Sequence, residues 1–182
     1  MTEPTNPAPS NDSGEVDPDT AWKSLALVVD WIKHAETKAA ATLAGTGVAA
    51  GVLFNVTKDV KTWPGLTATA VGTCVVLLVI AGVCAGVALR PRLRHELPGK
   101  SLLFYRDVSH AHPKDSKGEA YIAALQELST NPQTIVAEVA AQAWANAHVA
   151  TRKYVWAGFA INALLCALGA LALVVLLLAR QR

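Results

Sequence analysis

A chain of 182 residues that is 52% hydrophobic and only 16% charged is too apolar for an ordinary soluble domain of its size, so a membrane protein is the first expectation. A net charge of +2, with no basic run interleaved with aromatics, gives no footprint for nucleic acid. Cys74, Cys84 and Cys166 all fall inside apolar runs and read as small reduced residues facing lipid or other helices, not as a disulfide framework.

Residues 1–20 are polar and acidic, hold Pro4, Pro7, Pro9 and Pro18, and lack the apolar stretch of a signal peptide. That composition predicts a disordered tail. Over 21–38 an amphipathic helix is expected, starting near Asp19 or Thr20. Leu25, Val28, Val29, Ile32, Ala35 and Ala39 share one face, and Lys23, Asp30, His34 and Lys38 the other. Glu36 breaks the pattern by projecting on the apolar side, where a carboxylate wants a partner.

The helix feeds a first span over 39–56, short and rich in small residues, with Gly47 and Gly51 four apart. Asn55 to Gly65 reads as a tight turn with Trp63 at the membrane interface. A second span covers 66–89, contains Gly82 and Gly86, and stops at Arg90, Arg92 and Arg94. The two GxxxG pairs are expected to serve helix packing, either among the spans of one subunit or between subunits.

Residues 90–154 form an insert of about 65 residues, polar enough for water but too small to bury a good core alone. Within it Ser101 to Ser109 is a short element, helix or strand, and His110 to Lys117 a loop. His110 and His112 lie near Asp107 and Asp115, but solvated loop histidines are commoner than ligands, and no metal is expected. Ser116 followed by Glu119 is a capping-box signature for a helix carrying Tyr121, Ile122, Leu125 and Leu128.

The stretch from Asn131 to Arg182 organises the chain. Asn131 and Pro132 are a helix-start signature, and no later proline interrupts the run. Residues placed at roughly 100° each put Glu138, Gln142, Asn146, Arg152 and Lys153 in one polar sector, opposite Val136, Val139, Ala143, Ala147, Ala150 and Tyr154. From 155 to 179 no charge occurs, and about 25 residues suffice to cross a hydrocarbon core of roughly 30 Å. The reading is all-α, with three transmembrane helices and a small cytosolic helical insert, the long helices running unbroken from water into lipid. Most Lys and Arg flank the N-terminal helix and the insert, which places both in the cytosol of a plasma (inner) membrane protein.

No nucleophile elbow, phosphate-binding glycine loop, CxxC pair or HExxH helix is present, so no enzyme is expected. The polar sector is either the wet face of a helix or a site for a small anion, its cations on a phosphate and its amides on a base or sugar edge.

WIKHAETKAAATLAGTGV (Trp31 to Val48), LLFYRDV (Leu102 to Val108), EAYIAAL (Glu119 to Leu125) and EVAAQAWANAHVATRKYVWAGFAI (Glu138 to Ile161) resemble the successive blocks of the Pycsar-type transmembrane effectors of bacterial anti-phage defence. The sharpest pieces are A-E-T-K-A at Ala35 to Ala39 and the spacing of Gln142, Ala147, Ala150, Lys153 and Tyr154. The resemblance implies an effector partnered with a pyrimidine nucleotide cyclase. Such an effector is expected to bind cyclic CMP or cyclic UMP as its activating ligand, to need no other cofactor, to assemble as a homo-oligomer against membrane lipid, and to impair the inner membrane, causing abortive infection. The expected ligand contacts are Lys38, Arg106, Gln142, Asn146, Arg152 and Lys153, converging where the N-terminal and organising helices meet. Glu36 is expected to pair with Lys153 or Arg152. The rival readings are a non-catalytic membrane scaffold that docks a protein partner, and a constitutive small channel or holin.

Overall fold

The computed structural model describes residues 17–91, 101–112 and 118–180, without the side chains of Tyr105 and Arg106. Among the described residues five helices follow in order: α1 (Pro18–Thr57), α2 (Gly65–Leu89), α3 (Tyr105–Ala111), α4 (Glu119–Ser129) and α5 (Pro132–Ala179). No strand occurs among the described residues, and α1, α2 and α5 are each long and apolar enough to cross a membrane.

The two longest helices, α1 and α5, begin by the same device. The Asp17 carboxylate accepts from the N–H groups of Asp19 at 3.0 Å and Thr20 at 3.2 Å, and Pro18 follows at the first helical position. Asn131 Oδ1 does the same for Gln133 and Thr134 at 3.1 and 3.2 Å, ahead of Pro132. Each cap satisfies backbone donors that a helix start leaves free. Residues 17–20, which fall within the expected tail, thus belong to the cap and first turn of α1, and the rest of that tail, residues 1–16, lies outside the described residues. The expected segments 21–38 and 39–56 form one unbroken helix, and α5 passes through Tyr154 to Gly158 without interruption.

Burial on all three long helices follows steps of three and four residues. On α1 the sequence Ala35, Ala39, Thr42, Thr46, Ala49, Leu53 is buried; on α2 it is Ala70, Cys74, Leu78, Ala81, Ala85, Ala88; on α5 it is Ala150, Lys153, Ala157, Ala160, then Ala167, Leu171 and Val174. This spacing is that of a left-handed bundle with interlocking side chains. Alanines dominate the contacts, which lets the helix axes approach and makes van der Waals packing the source of cohesion in lipid. Thr42 and Thr46 are tolerated inside because each hydroxyl donates to the carbonyl four residues back, both at 2.8 Å.

Within one protomer the two glycine pairs do not mark the closest approach between helices. A Cβ at Gly47, Gly51 or Gly86 would meet nothing within 4 Å, and one at Gly82 only Thr46 Cγ2 at 3.9 Å. The close approach falls at Gly45, where a Cβ would stand 3.2 Å from Leu164 Cδ2. Sequence spacing marks candidate faces, but the packed face of α1 is set by the alanine and threonine stripe, and Gly47 and Gly51 lie off it.

α2 ends at Leu89, where Ala39, Ala88 and Ala157 meet beneath Leu89 and Trp156. Beyond that level α1 and α5 run on as a parallel two-helix head, with α3 and α4 at its side. The element left open at 101–109 is a turn over 101–104 followed by α3, which continues through Ala111 into the stretch expected to be loop. Ser116 lies outside the described residues, and the cap of α4 is Gly118, at φ 76° with no side-chain cap bond. Glycine holds that left-handed conformation without the penalty another residue pays.

Candidate functional site

At the level where α2 stops, the Lys153 ammonium joins three helices. It donates to Glu36 Oε1 on α1 at 2.7 Å and to the Ala88 carbonyl of α2 at 2.9 Å. The Ala88 carbonyl belongs to the last turn of α2, whose acceptors have no partner further along the helix and carry the negative end of its dipole. A cation there satisfies both the carbonyl and the carboxylate. Lys153 is 5% exposed, whereas the Glu36 side chain is 42% exposed, so the cation is the committed partner and the carboxylate is the one with a route to water. Of the two cations expected for Glu36, the structure selects Lys153; Arg152 is exposed.

A second polar cluster sits higher on the same stripe of α5. Gln142, 6% exposed, donates from Nε2 to Ser101 Oγ at 3.0 Å. Ser101 Oγ in turn donates to Glu138 Oε2 at 3.1 Å and accepts the Leu103 N–H at 3.2 Å. The Ser101 N–H donates to Asp107 at 3.0 Å, and the Tyr121 hydroxyl donates to the Leu102 carbonyl at 3.3 Å. These bonds fasten the turn before α3 to α5 on one side and to α4 on the other. His112 packs its ring against Tyr121 at 5.5 Å, so Asp107 and His112 both act in holding the insert together.

The expected ligand set therefore does not converge. Gln142 and Lys153 are eleven positions apart on α5, about 16 Å along its axis, and both are engaged in bonds within the chain. They also lie on the packed stripe with Val139 and Ala150, not on a face opposite them. The wheel sorted these residues by polarity, whereas the fold sorts them by which stripe α1 and α2 cover. Arg152 and Tyr154 flank Lys153 on opposite sides, about 200° apart round the helix, and exposed Lys38 stands 5.3 Å over the Tyr154 ring. Asn146 is half-buried between the two clusters, and the Arg106 side chain lies outside the described residues. Sequence reasoning missed Ser101 and the Ala88 carbonyl. The serine carries no pattern of its own, but the end of α2 at the arginines signals free carbonyls there.

A groove at the far end of the head, between the first turns of α1 and α5, is lined by Asp17, Thr20, Ser24, Val136, Ala140 and Ala143. Its charged group is a carboxylate, held below the usual range by the Thr20 hydroxyl and the Asp19 N–H, so it does not suit an anion.

These features define an all-helical membrane protein whose polar head and apolar bundle share two helices. The chain belongs to the Pycsar effector family of anti-phage defence: the family's Pycsar effector protein domain matches residues 20–180. It is similar to the Pycsar effector protein PtPycTM of Propioniciclava tarda, 36% identical over 144 residues that cover 78% of this chain and 70% of that protein. No solved structure matches the chain.

Proposed function

We propose that this effector resides in the inner membrane with its N-terminus and residues 90–154 in the cytosol, senses cyclic CMP or cyclic UMP there, and then assembles to impair the membrane. The cytosolic assignment rests on the bias of Lys and Arg towards that side of the spans. The observation that carries the sensing step is the contact of buried Lys153 with half-exposed Glu36 and the end of α2. A cyclic nucleotide phosphate bears one negative charge and can replace Glu36 on Lys153, charge for charge. Exposed Lys38 and Arg152 draw the anion to that level, and the amide of half-buried Asn146, on the seam above Lys153, is available to a base edge.

A ligand shifts an equilibrium only by binding one state better than another. Here the state in which α1 has released α5 exposes Lys153, and the nucleotide favours that state. Because α1 and α5 are unbroken into the spans, separation in the head alters packing in the bilayer. The test is dye entry into cells expressing the protein on supply of cyclic UMP or cyclic CMP. Entry should require nucleotide and should be blunted by Lys153→Ala. Entry without nucleotide makes the protein a constitutive channel, and tight cells with bound nucleotide make it a scaffold.

A further inference from the structure

We infer that a second copy of the chain docks on the lipid-facing side of α5, with Asn162 of each copy bonded across the contact. The inference deepens the assembly step proposed above and rests on that reading for its role in leakage. Asn162 lies seven residues past Val155, about 10 Å inside the hydrocarbon, too deep for its short side chain to reach headgroups. It is exposed on the surface of the protomer and makes no hydrogen bond among the described residues. An amide has two donors and an acceptor to satisfy, and lipid tails offer nothing to any of them.

The surroundings are shaped for a helix. Val155, Gly158, Asn162, Leu165 and Gly169 recur at three- and four-residue steps on the side of α5 opposite its packed stripe. A Cβ at Gly158 or Gly169 would meet nothing within 4 Å, so another backbone can approach on either side of the amide. Beside them a shallow groove of about 470 Å³ runs between Ile80 and Cys84 of α2 and Trp156, Phe159 and Cys166 of α5. The occupant must present an amide at the same depth, and the same asparagine of a second copy does so with a self-complementary pair of hydrogen bonds. Polar side chains of this kind draw spans together by interhelical hydrogen bonds.

Cys166 is exposed one turn beyond Asn162 on the same side, which supplies a native reporter. Full-length protein in its membrane is oxidised with copper phenanthroline, without nucleotide and with cyclic UMP or cyclic CMP in turn, and dye entry is recorded in parallel. The expected result is a covalent dimer that is lost in Cys166→Ser and reduced about threefold or more in Asn162→Leu, whose fold is checked by circular dichroism. As a collision control, Val76→Cys in the Cys166→Ser chain places a thiol on the lipid face of α2. Equal dimer yield from position 76, or a yield unchanged by Asn162→Leu, overturns the interface. Nucleotide-dependent dye entry with no Cys166 dimer overturns the interface but leaves the proposed function standing. An Asn162-dependent dimer without dye entry establishes the interface and removes the function.

Discussion

The bundle and the head use the same two helices but hold them by different means. In the bundle, three helices meet through alanines and small polar residues that bond their own backbone, so cohesion is spread over many weak contacts. In the head, two helices remain after α2 stops, and polar contacts to buried Lys153 and Gln142 sit on the seam. Distributed packing is hard to undo with one ligand. A buried cation whose partner is half in water is easier to undo, because one competing anion replaces the contact in a single step.

The largest effect that separates these regions is expected at Glu36. Glu36→Gln keeps an oxygen acceptor for the Lys153 ammonium but removes its counter-charge, and the uncompensated buried charge costs about 2–4 kcal/mol. Lys153→Met should cost clearly less, about 1 kcal/mol, because the carboxylate left behind turns to solvent. Denaturation in detergent gives the order, and the reverse order would show that Glu36 is the committed partner. Glu36→Gln cells should also admit dye without nucleotide.

Next is the tether. Gln142→Leu or Ser101→Ala removes hydrogen bonds between α5 and the turn before α3, worth about 1–2 kcal/mol. Hydrogen exchange should rise in α3 and α4 while the spans stay protected. In the bundle, Gly47→Ala and Gly51→Ala should be neutral or stabilising by up to about 1 kcal/mol from helix propensity, whereas Gly45→Ala should not gain because its Cβ presses on Leu164. Thermal melts in detergent distinguish them.

The smallest effect is at the far end of the head. Asp17 is held in its charged form, so its cap contributes above the ordinary aspartate range and is lost as pH falls through its lowered folded value. Exchange of the first amides of α1 should accelerate in acid, and Asp17→Ala should abolish that pH dependence.

Much of this was legible in the sequence. The cap at Asn131 and Pro132, the three apolar segments, and the misplaced charge of Glu36 all follow from local chemistry. Lys153 as its partner was reachable because an orphan carboxylate and a cation solve each other. What the sequence hid is tertiary. A wheel cannot tell a wet polar face from a packed seam that contains Gln142 and Lys153, because both give the same stripe until the neighbouring helix is placed. It also cannot weigh Gly45 against Gly47, since closeness depends on Leu164 of another helix. The end of α2 at Arg90 signals free carbonyls, but that Ala88 meets Lys153, and that Ser101 meets Gln142, depends on the chain topology that brings them to α5.

The most direct test of the switching claim is to fix α1 to α5 where Ala39 and Ala157 meet. The chain carries Ala39→Cys and Ala157→Cys, with its native cysteines replaced, and dye entry is measured on supply of cyclic UMP or cyclic CMP before and after oxidation. The account predicts that the oxidised protein stays closed with nucleotide present and that reduction restores dye entry. Full nucleotide-driven entry with the disulfide intact would contradict it.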